Sequence, residues 1–259
     1  MDAADGAPPE RTAPDLPDVE WVSGLRILVT GAAGSLGLAL VEEAVRQGAT
    51  VVATGRRPTL DQTSFPDGTT VIGAELSDPA DCRTLVQRAA VALGGLDVLI
   101  NNAATLVRRS FADLSLEELD NAWAVNLRAP VLLMQEARPH LERSAAPEII
   151  NVISTAAFNG GIDQVAPYAM TKAGLVAATK SVAKEYGPLG IRVLCLSPPA
   201  MEGRMRANLS DEIRELTRNT SLLRRIADLR EIARITLFAA SPYASFMTGS
   251  TVDATGIVL

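Results

Sequence analysis

Tyr168 and Lys172 stand four residues apart in a stretch whose residue pattern predicts a helix. Residues four apart share one face of a helix, so the lysine ammonium can lie beneath the tyrosine hydroxyl. A phenol with a pKa of about 10 is a poor base at neutral pH, but a nearby positive charge favours the phenolate and lowers that pKa. The pair therefore predicts a group that gives a proton to a carbonyl oxygen or takes one from an alcohol.

A glycine-containing turn follows the first strand-like run of the chain. Glycine lets the backbone turn tightly and approach a pyrophosphate, and the N-terminus of the following helix offers free N–H groups. The alternative is an ordinary strand-to-helix turn. Because the turn stands at the first strand–helix junction, we expect it to bind a dinucleotide through Thr30, Gly31, Ser35, Leu36 and Gly37.

The end of the second predicted strand reads Thr54-Gly55-Arg56-Arg57, with no carboxylate. An acidic residue at this point would accept the ribose hydroxyls of NAD(H) and repel a 2′-phosphate. Two guanidinium groups suit that phosphate instead, since they form charge-assisted bidentate hydrogen bonds. Arg56 and Arg57 therefore favour NADP(H) over NAD(H), although surface arginines that only solvate a loop are the alternative.

Strand and helix signals alternate from Leu25 onward and predict a single-domain α/β fold, a doubly wound parallel sheet with helices on both faces. Residues 1–20, rich in Pro, Asp and Ala, are expected to be a disordered leader before a domain over 21–259. The predicted strands are 25–29, 51–53, 70–72, 97–100, 148–153, 191–196 and 251–253, and the predicted helices are 35–47, 78–93, 115–126, 127–143, 167–186 and 228–240.

Composition excludes several classes of function. The chain has 24 Lys and Arg against 30 Asp and Glu, without a basic stripe, which argues against nucleic-acid binding. No apolar run reaches the length of about 18 residues that a membrane-spanning helix needs. Cys82 and Cys195 lack CxxC spacing and His140 is the only histidine, so we expect no metal site and no Ser-His-Asp triad. A cytoplasmic protein is expected.

Several motifs in their order along the chain resemble the short-chain dehydrogenase/reductase family, in its shorter single-domain branch. Thr30, Gly31 and Gly37 match T-G-x-x-x-G-x-G, with Ser35 at the middle glycine. Gly34, one residue early, also fits the glycine spacing of the longer branch. The Tyr168–Lys172 spacing is the family's Y-x-x-x-K, Asn101-Asn102-Ala103-Ala104 resembles its N-N-A-G, and the segment 247–253 resembles its closing T-G-x-x-x-x-V-D. The resemblance covers about residues 24–256 and implies a Rossmann fold that binds a nicotinamide dinucleotide.

The resemblance implies roles for further residues. Glu75 and Leu76 would contact the adenine, Asn102 and Ala103 would lie beside the cofactor, and Asn101 would brace the neighbouring backbone. Asn126 would hold a water that relays protons to Lys172, although a locally bonded helix asparagine is the alternative. Pro198 follows strand six where the family has P-G, but Pro199 and Gly203 depart from the family pattern and put the carboxamide contacts in doubt.

The family's third catalytic residue is a serine after strand five that polarises the substrate oxygen. Counting from the strand indicates Ser154, whereas counting back from Tyr168 indicates Thr155. One extra residue around 158–161 would reconcile the two counts. We favour Ser154, and both residues carry the hydroxyl that the role requires.

The resemblance thus implies an NADP(H)-dependent oxidoreductase, a ketoreductase, acting on a small, mostly apolar carbonyl or alcohol substrate. The alternatives are a non-redox reaction on the same scaffold (epimerisation, dehydration or cyclisation) and a non-catalytic nucleotide-sensing protein. A homodimer or homotetramer is expected, as in many relatives, and the substrate loop is expected over about 199–222. The expected substrate walls are Leu106, Val107, Phe158, Gln164, Val165, Pro199, Met201 and Met205.

Overall fold

Strands and helices alternate throughout the computed structural model, which describes residues 17–56, 60–161, 164–201 and 211–257. The strands are β1 Arg26–Thr30, β2 Thr50–Gly55, β3 Thr70–Gly73, β4 Val98–Asn101, β5 Glu148–Val152, β6 Arg192–Ser197 and β7 Thr251–Asp253. The helices are α1 Ser35–Arg46, α2 Pro79–Leu93, α3 Leu116–Trp123, α4 Ala129–Leu141, α5 Ala156–Asn159, α6 Ala166–Tyr186, α7 Asp211–Thr220 and α8 Leu229–Ala240.

The seven strands form one sheet in the order β3-β2-β1-β4-β5-β6-β7, and each neighbouring pair is parallel. Strand residues alternate between two apolar cores, because successive side chains point to opposite faces. Ile27 and Val29 pack with α1 and α8, whereas Leu28 packs with α2 and α4. The predicted doubly wound parallel sheet is confirmed, and the carboxyl ends of its strands meet along one edge.

The helix boundaries follow local sequence signals where those signals are strong. Asp78 caps α2 through its side chain, Pro79 opens the helix, and Gly94 ends it in the left-handed region with φ +69°. Asp228 caps α8 in a capping box with Glu231. Among the described residues, no helix has both the length and the apolarity needed to cross a bilayer.

The structure departs from the sequence-based prediction in three places, one of which is the unpredicted short helix α5. The two helices predicted over 115–126 and 127–143 are one helical run, in which the π-helical segment Ala124–Arg128 joins α3 to α4. Within the segment predicted as a substrate loop, residues 211–220 form α7. The predicted leader lies mostly outside the described residues.

A cluster of charges joins the first helix of the fold to the last. Arg234 donates to the Glu43 carboxylate at 2.7 Å and Arg230 donates at 3.1 Å, both from α8 across to α1. Arg46 and Gln47 also donate to Glu43, and the Glu43 side chain is only 2% exposed. Burial alone would raise the pKa of Glu43, but these hydrogen bonds lower it to about 2.

We expect Glu43→Gln to destabilise the protein by about 3 kcal/mol, because it leaves the guanidinium of Arg234 buried without a counter-charge. The folded-state pKa of Glu43 lies below its unfolded value, so its contribution is complete above about pH 5 and is lost as the pH falls toward 2. Thermal unfolding between pH 7 and pH 3 measures both effects.

The exposed neighbour Glu42 supplies the control. Glu42→Gln should leave the melting temperature and its pH dependence close to those of the parent chain. Equal melting temperatures for the two variants would contradict the assignment.

Candidate active site

A cleft of about 680 Å³ opens at the carboxyl ends of the strands. Segments that follow β1, β2, β3, β4, β5 and β6 line it, together with the first turns of α6. Ligands of doubly wound sheets bind at this edge. Of the sequence-predicted site residues, the cleft lining includes Gly31, Ser35, Leu36, Gly37, Arg56, Glu75, Leu76, Asn102, Ala103, Ser154, Tyr168, Lys172 and Pro198.

Tyr168 and Lys172 occupy the first two turns of α6 and share one face of that helix. Lys172 is 1% exposed, and its Nζ donates to the backbone oxygen of Val152 at 2.7 Å. The same Nζ lies 5.7 Å from the centre of the Tyr168 ring. The end of β5 therefore holds the ammonium beside the tyrosine, as the helical spacing predicts.

The surroundings that the protein itself provides raise the pKa of Tyr168. Burial is the largest cause of the rise, and an interaction with the Ser154 side chain partly opposes it. Burial also lowers the pKa of Lys172 to about 8. That the ammonium and a positively charged nicotinamide together lower the pKa of the phenol stays a prediction.

Both candidate hydroxyls after β5 line the cleft. The Ser154 side chain interacts with Tyr168 and opposes the rise of its pKa, and its Oγ accepts from the Ala156 N–H at 3.2 Å. Thr155 is the residue that precedes α5. This interaction favours Ser154, and its catalytic role stays a prediction.

Asn126 lies behind the cleft wall within the π-helical segment and is fully buried. Its side-chain oxygen accepts from the Thr105 N–H at 2.7 Å, and its amide nitrogen donates to the Thr105 carbonyl at 2.9 Å and to the Thr171 hydroxyl at 3.2 Å. These bonds fasten the segment after β4 to the residue before Lys172. The predicted water-holding role of Asn126 remains a prediction.

The loops after β1 and β4 lie too close together for larger residues. Gly31 has φ +64°, and a Cβ there would lie 2.6 Å from the Cα of Ala103. The Thr30 hydroxyl, 1% exposed, accepts from the N–H groups of Asn102 and Ala103 at 3.0 Å each. Thr30 thus fixes the turn from below and does not line the cleft.

The bracing role expected for Asn101 belongs to its neighbour. Asn102 donates to the backbone oxygens of Thr30 and Gly31, at 2.9 and 3.2 Å. Asn101 is buried and donates instead to the side chain of Asn151 on β5, at 2.8 Å. Adjacent residues of a strand end point to opposite sides, so a shift of one residue exchanges the two roles.

The N-terminus of α1 faces the cleft without a side-chain cap. Gly34 occupies the cap position, whereas Asp78, Ser115 and Asp228 cap α2, α3 and α8 through their side chains. Gly37 brings α1 close to the turn, since a Cβ there would lie 2.2 Å from the oxygen of Gly31. The first N–H groups of α1 and its dipole can therefore bind an anion.

Arg56, Glu75 and Leu76 line the cleft beyond β2 and β3. Arg56 is exposed at the end of β2, and Arg57 lies outside the described residues. The Glu75 carboxylate accepts from the N–H and the hydroxyl of Ser77, at 3.2 and 2.9 Å. Of the described residues, no group of three or more His, Cys, Asp and Glu side chains is placed to hold a metal ion.

The expected substrate walls are partly correct. Leu106, Val165, Pro199 and Met201 line the cleft, Val107, Phe158 and Gln164 are not among the lining residues, and Met205 and Gly203 lie outside the described residues. The prediction missed Asn121, Val125, Gly161 and Leu229, which also line the cleft. Asn121 and Val125 stand four residues apart on one helical face. The sequence shows this spacing, but the same spacing is typical of a helix face that packs against the core, so it does not identify a cleft.

Comparisons with known proteins agree with this geometry. A family profile described as enoyl-(acyl carrier protein) reductase matches residues 31–256. A 3-oxoacyl-[acyl-carrier-protein] reductase from Aquifex aeolicus is 30% identical, with 88% of this chain and 95% of that protein covered. The human dehydrogenase/reductase SDR family member 4 is 31% identical, with 87% of this chain and 84% of that protein covered.

Solved structures give the same assignment. A short-chain dehydrogenase from Burkholderia cenocepacia, solved in complex with NADP, superposes with a TM-score of 0.83 at 26% identity, over 92% of this chain and 98% of that one. A Serratia marcescens short-chain dehydrogenase/reductase gives the same TM-score of 0.83 at 27% identity, over 92% of this chain and 100% of that one. The chain belongs to the short-chain dehydrogenase/reductase family of oxidoreductases.

Proposed function

We propose that the protein is an NADP(H)-dependent ketoreductase that transfers hydride between the nicotinamide and the carbonyl or alcohol group of a small, mostly apolar molecule. The observation that carries the proposal is that Tyr168 and Ser154 line the same cleft, with the buried Lys172 ammonium 5.7 Å from the centre of the tyrosine ring. An oxygen bound between the two hydroxyls would meet a proton donor and a polarising group together.

The cleft fits a dinucleotide. The uncapped N-terminus of α1 would bind the pyrophosphate through Ser35, Leu36 and Gly37, next to the tight turn at Gly31. Glu75 and Leu76 would lie along the adenine, and Asn102, Ala103 and Pro198 would border the nicotinamide half. Thr30 would support this site from below, through its bonds to the loop after β4.

Preference for NADP(H) is inferred from the end of β2. Arg56 is exposed there in the cleft lining, and the segment Thr54-Gly55-Arg56-Arg57 contains no carboxylate that would repel a phosphate. The relative from Burkholderia cenocepacia was solved in complex with NADP, which supports the same choice.

The nicotinamide supplies hydride when bound, and the side chains of this chain handle the proton. Ser154 donates a hydrogen bond to the substrate oxygen while the Tyr168 hydroxyl transfers its proton to that oxygen. The Lys172 ammonium, held by Val152, stabilises the resulting phenolate through its charge. Asn126 keeps the segment after β4 in place.

Tyr168→Phe removes the proton donor and leaves the ring, so we expect ketone reduction to fall by about 10²- to 10⁴-fold while NADPH still binds. NADPH oxidation with a panel of apolar ketones measures turnover, and fluorescence titration measures cofactor binding. Parallel assays with NADH test the cofactor preference.

Tyr243→Phe is the matched control, since Tyr243 is exposed outside the cleft. Full activity in Tyr168→Phe would contradict the mechanism. Product formation without any change in NADPH absorbance would favour a non-redox reaction on this scaffold instead.

The rate of ketone reduction should depend on the charge of Lys172. Burial lowers the pKa of this ammonium to about 8, so it is charged below that pH and becomes neutral as the pH rises. We expect kcat/KM for reduction to decline above about pH 8, because a neutral lysine no longer stabilises the phenolate. A pH–rate profile measures this effect, and a profile that stays level to pH 10 would contradict it.

We also propose that the protein forms a homodimer or homotetramer through the α3, α4 and α6 region. Leu116 and Trp123 lie on one face of α3, and both are exposed, as is Met170 on α6. Trp123→Glu should shift the protein toward monomer in analytical ultracentrifugation, because a charge in an apolar interface is costly. An unchanged mass would contradict this interface.

We also propose, on separate grounds, that the protein is located in the cytoplasm. Cys82 and Cys195 are both buried and unpaired, which suits a reducing compartment.

A further inference from the structure

Charges are unevenly distributed in the lining of the cleft. Its charged residues, among those described, are Arg56, Glu75, Arg108 and Lys172. Arg56 and Glu75 follow β2 and β3, and Lys172 is buried against Val152. Arg108 is therefore the exposed charged residue on the part of the described lining that follows β4. Its positive charge contrasts with the chain as a whole, which has more acidic than basic residues.

The backbone around Arg108 is fastened on both sides. Asn126 makes two hydrogen bonds to the backbone of Thr105. The Arg109 N–H donates to the Gln164 oxygen at 2.9 Å, four residues before Tyr168. These bonds place Arg108 on the side of the cleft where α6 begins.

The neighbouring arginine has a different role. Arg109 donates to the Glu118 carboxylate through Nε and a terminal nitrogen, at 3.1 and 2.9 Å, which compensates its charge. Arg108 has no hydrogen-bond or ion-pair partner within the described parts of the chain. Asn121, which also lines the cleft, lies one turn beyond Glu118 on the same face of α3.

We propose that Arg108, with Asn121 in the same lining, binds an anionic group on the substrate at a distance from the reacting carbonyl. A guanidinium presents two parallel N–H donors that match a carboxylate or a phosphate. Glu75 is the one carboxylate in the described lining, and it lies beyond β3. Among the described lining residues, an anionic tail near Arg108 therefore meets positive charge with no carboxylate on the same side.

This inference rests on the proposed ketoreductase and specifies its substrate class. The substrate is an oxo compound with an apolar middle and a negatively charged end. Apolar lining residues such as Leu106, Val125 and Val165 suit the middle portion. Arg108 would select for the charged end without taking part in the chemical step.

Equilibrium binding tests the inference without turnover. Straight-chain oxo acids of increasing length are titrated by calorimetry into the protein with and without NADP⁺, each against its methyl ester. An oxoalkyl phosphate is titrated against the matching oxo alcohol, so that the two anionic sources are distinguished. At the best chain length the anion should bind at least about fivefold more tightly than its neutral partner.

Arg108→Gln should abolish this difference, whereas Arg109→Gln should retain it. The two variants lose the same charge from adjacent positions. An equal loss of the binding difference in both would indicate a general electrostatic effect and would overturn the proposal. Equal binding of every charged and neutral pair to the parent chain would also overturn it. An advantage for the phosphate alone or for the carboxylate alone supports it and identifies the anion.

Steady-state kinetics separate this inference from the proposed function. Arg108→Gln should raise KM for the charged substrate at least about fivefold with kcat unchanged, because the contact is made equally in the ground and transition states. Absence of NADPH oxidation with every oxo compound would refute the ketoreductase, while the binding difference would still decide the role of Arg108.

Discussion

The site depends on one buried ammonium. Lys172 is almost fully enclosed, and the carbonyl of Val152 is the acceptor that holds it. A buried charge is tolerated only with such a partner. The acceptor comes from the last residue of a central strand, and the lysine comes from the helix that follows it. The position of the charge is therefore set by how α6 packs on the sheet.

That burial has two opposite consequences for the chemistry. It moves the pKa values of Lys172 and Tyr168 apart and reverses their usual order, since it lowers that of the lysine to about 8 and raises that of the tyrosine. If Tyr168 has the proposed role, a raised pKa keeps its proton in place at neutral pH, which suits reduction. The positive charge of an oxidised nicotinamide would favour the phenolate in the reverse direction.

Much of the fold could be predicted because local signals coincide with element ends. Asp78, Gly94 and Asp228 act on backbone groups within a few residues, so the sequence alone locates α2 and α8. The π-helical segment could not be predicted, since its apolar spacing is compatible with ordinary helix. The helix α7 is short and carries two large apolar residues, Ile213 and Leu216, too few to distinguish a helix from the predicted loop.

The site shows the same division between local and long-range information. Tyr168 and Lys172 are related by helical spacing, which the sequence displays directly. Ser154 and Thr155 are adjacent in a loop, and the interaction with Tyr168 that favours Ser154 depends on how that loop packs against α6. Asn101 and Asn102 present the same problem at the end of β4. Arg108 is distinguished from Arg109 by Glu118, a contact that no spacing rule predicts.

The Glu43 cluster also bears on how the chain is made. Its carboxylate is on the first helix, and Arg234 is 191 residues further along. During synthesis α1 emerges long before α8, so the sheet face that α8 covers remains open until translation is nearly finished. Contacts so distant in sequence also slow folding. A nascent chain that ends before α8 would expose apolar strand residues together with an unpaired carboxylate, and would be a natural target for chaperones.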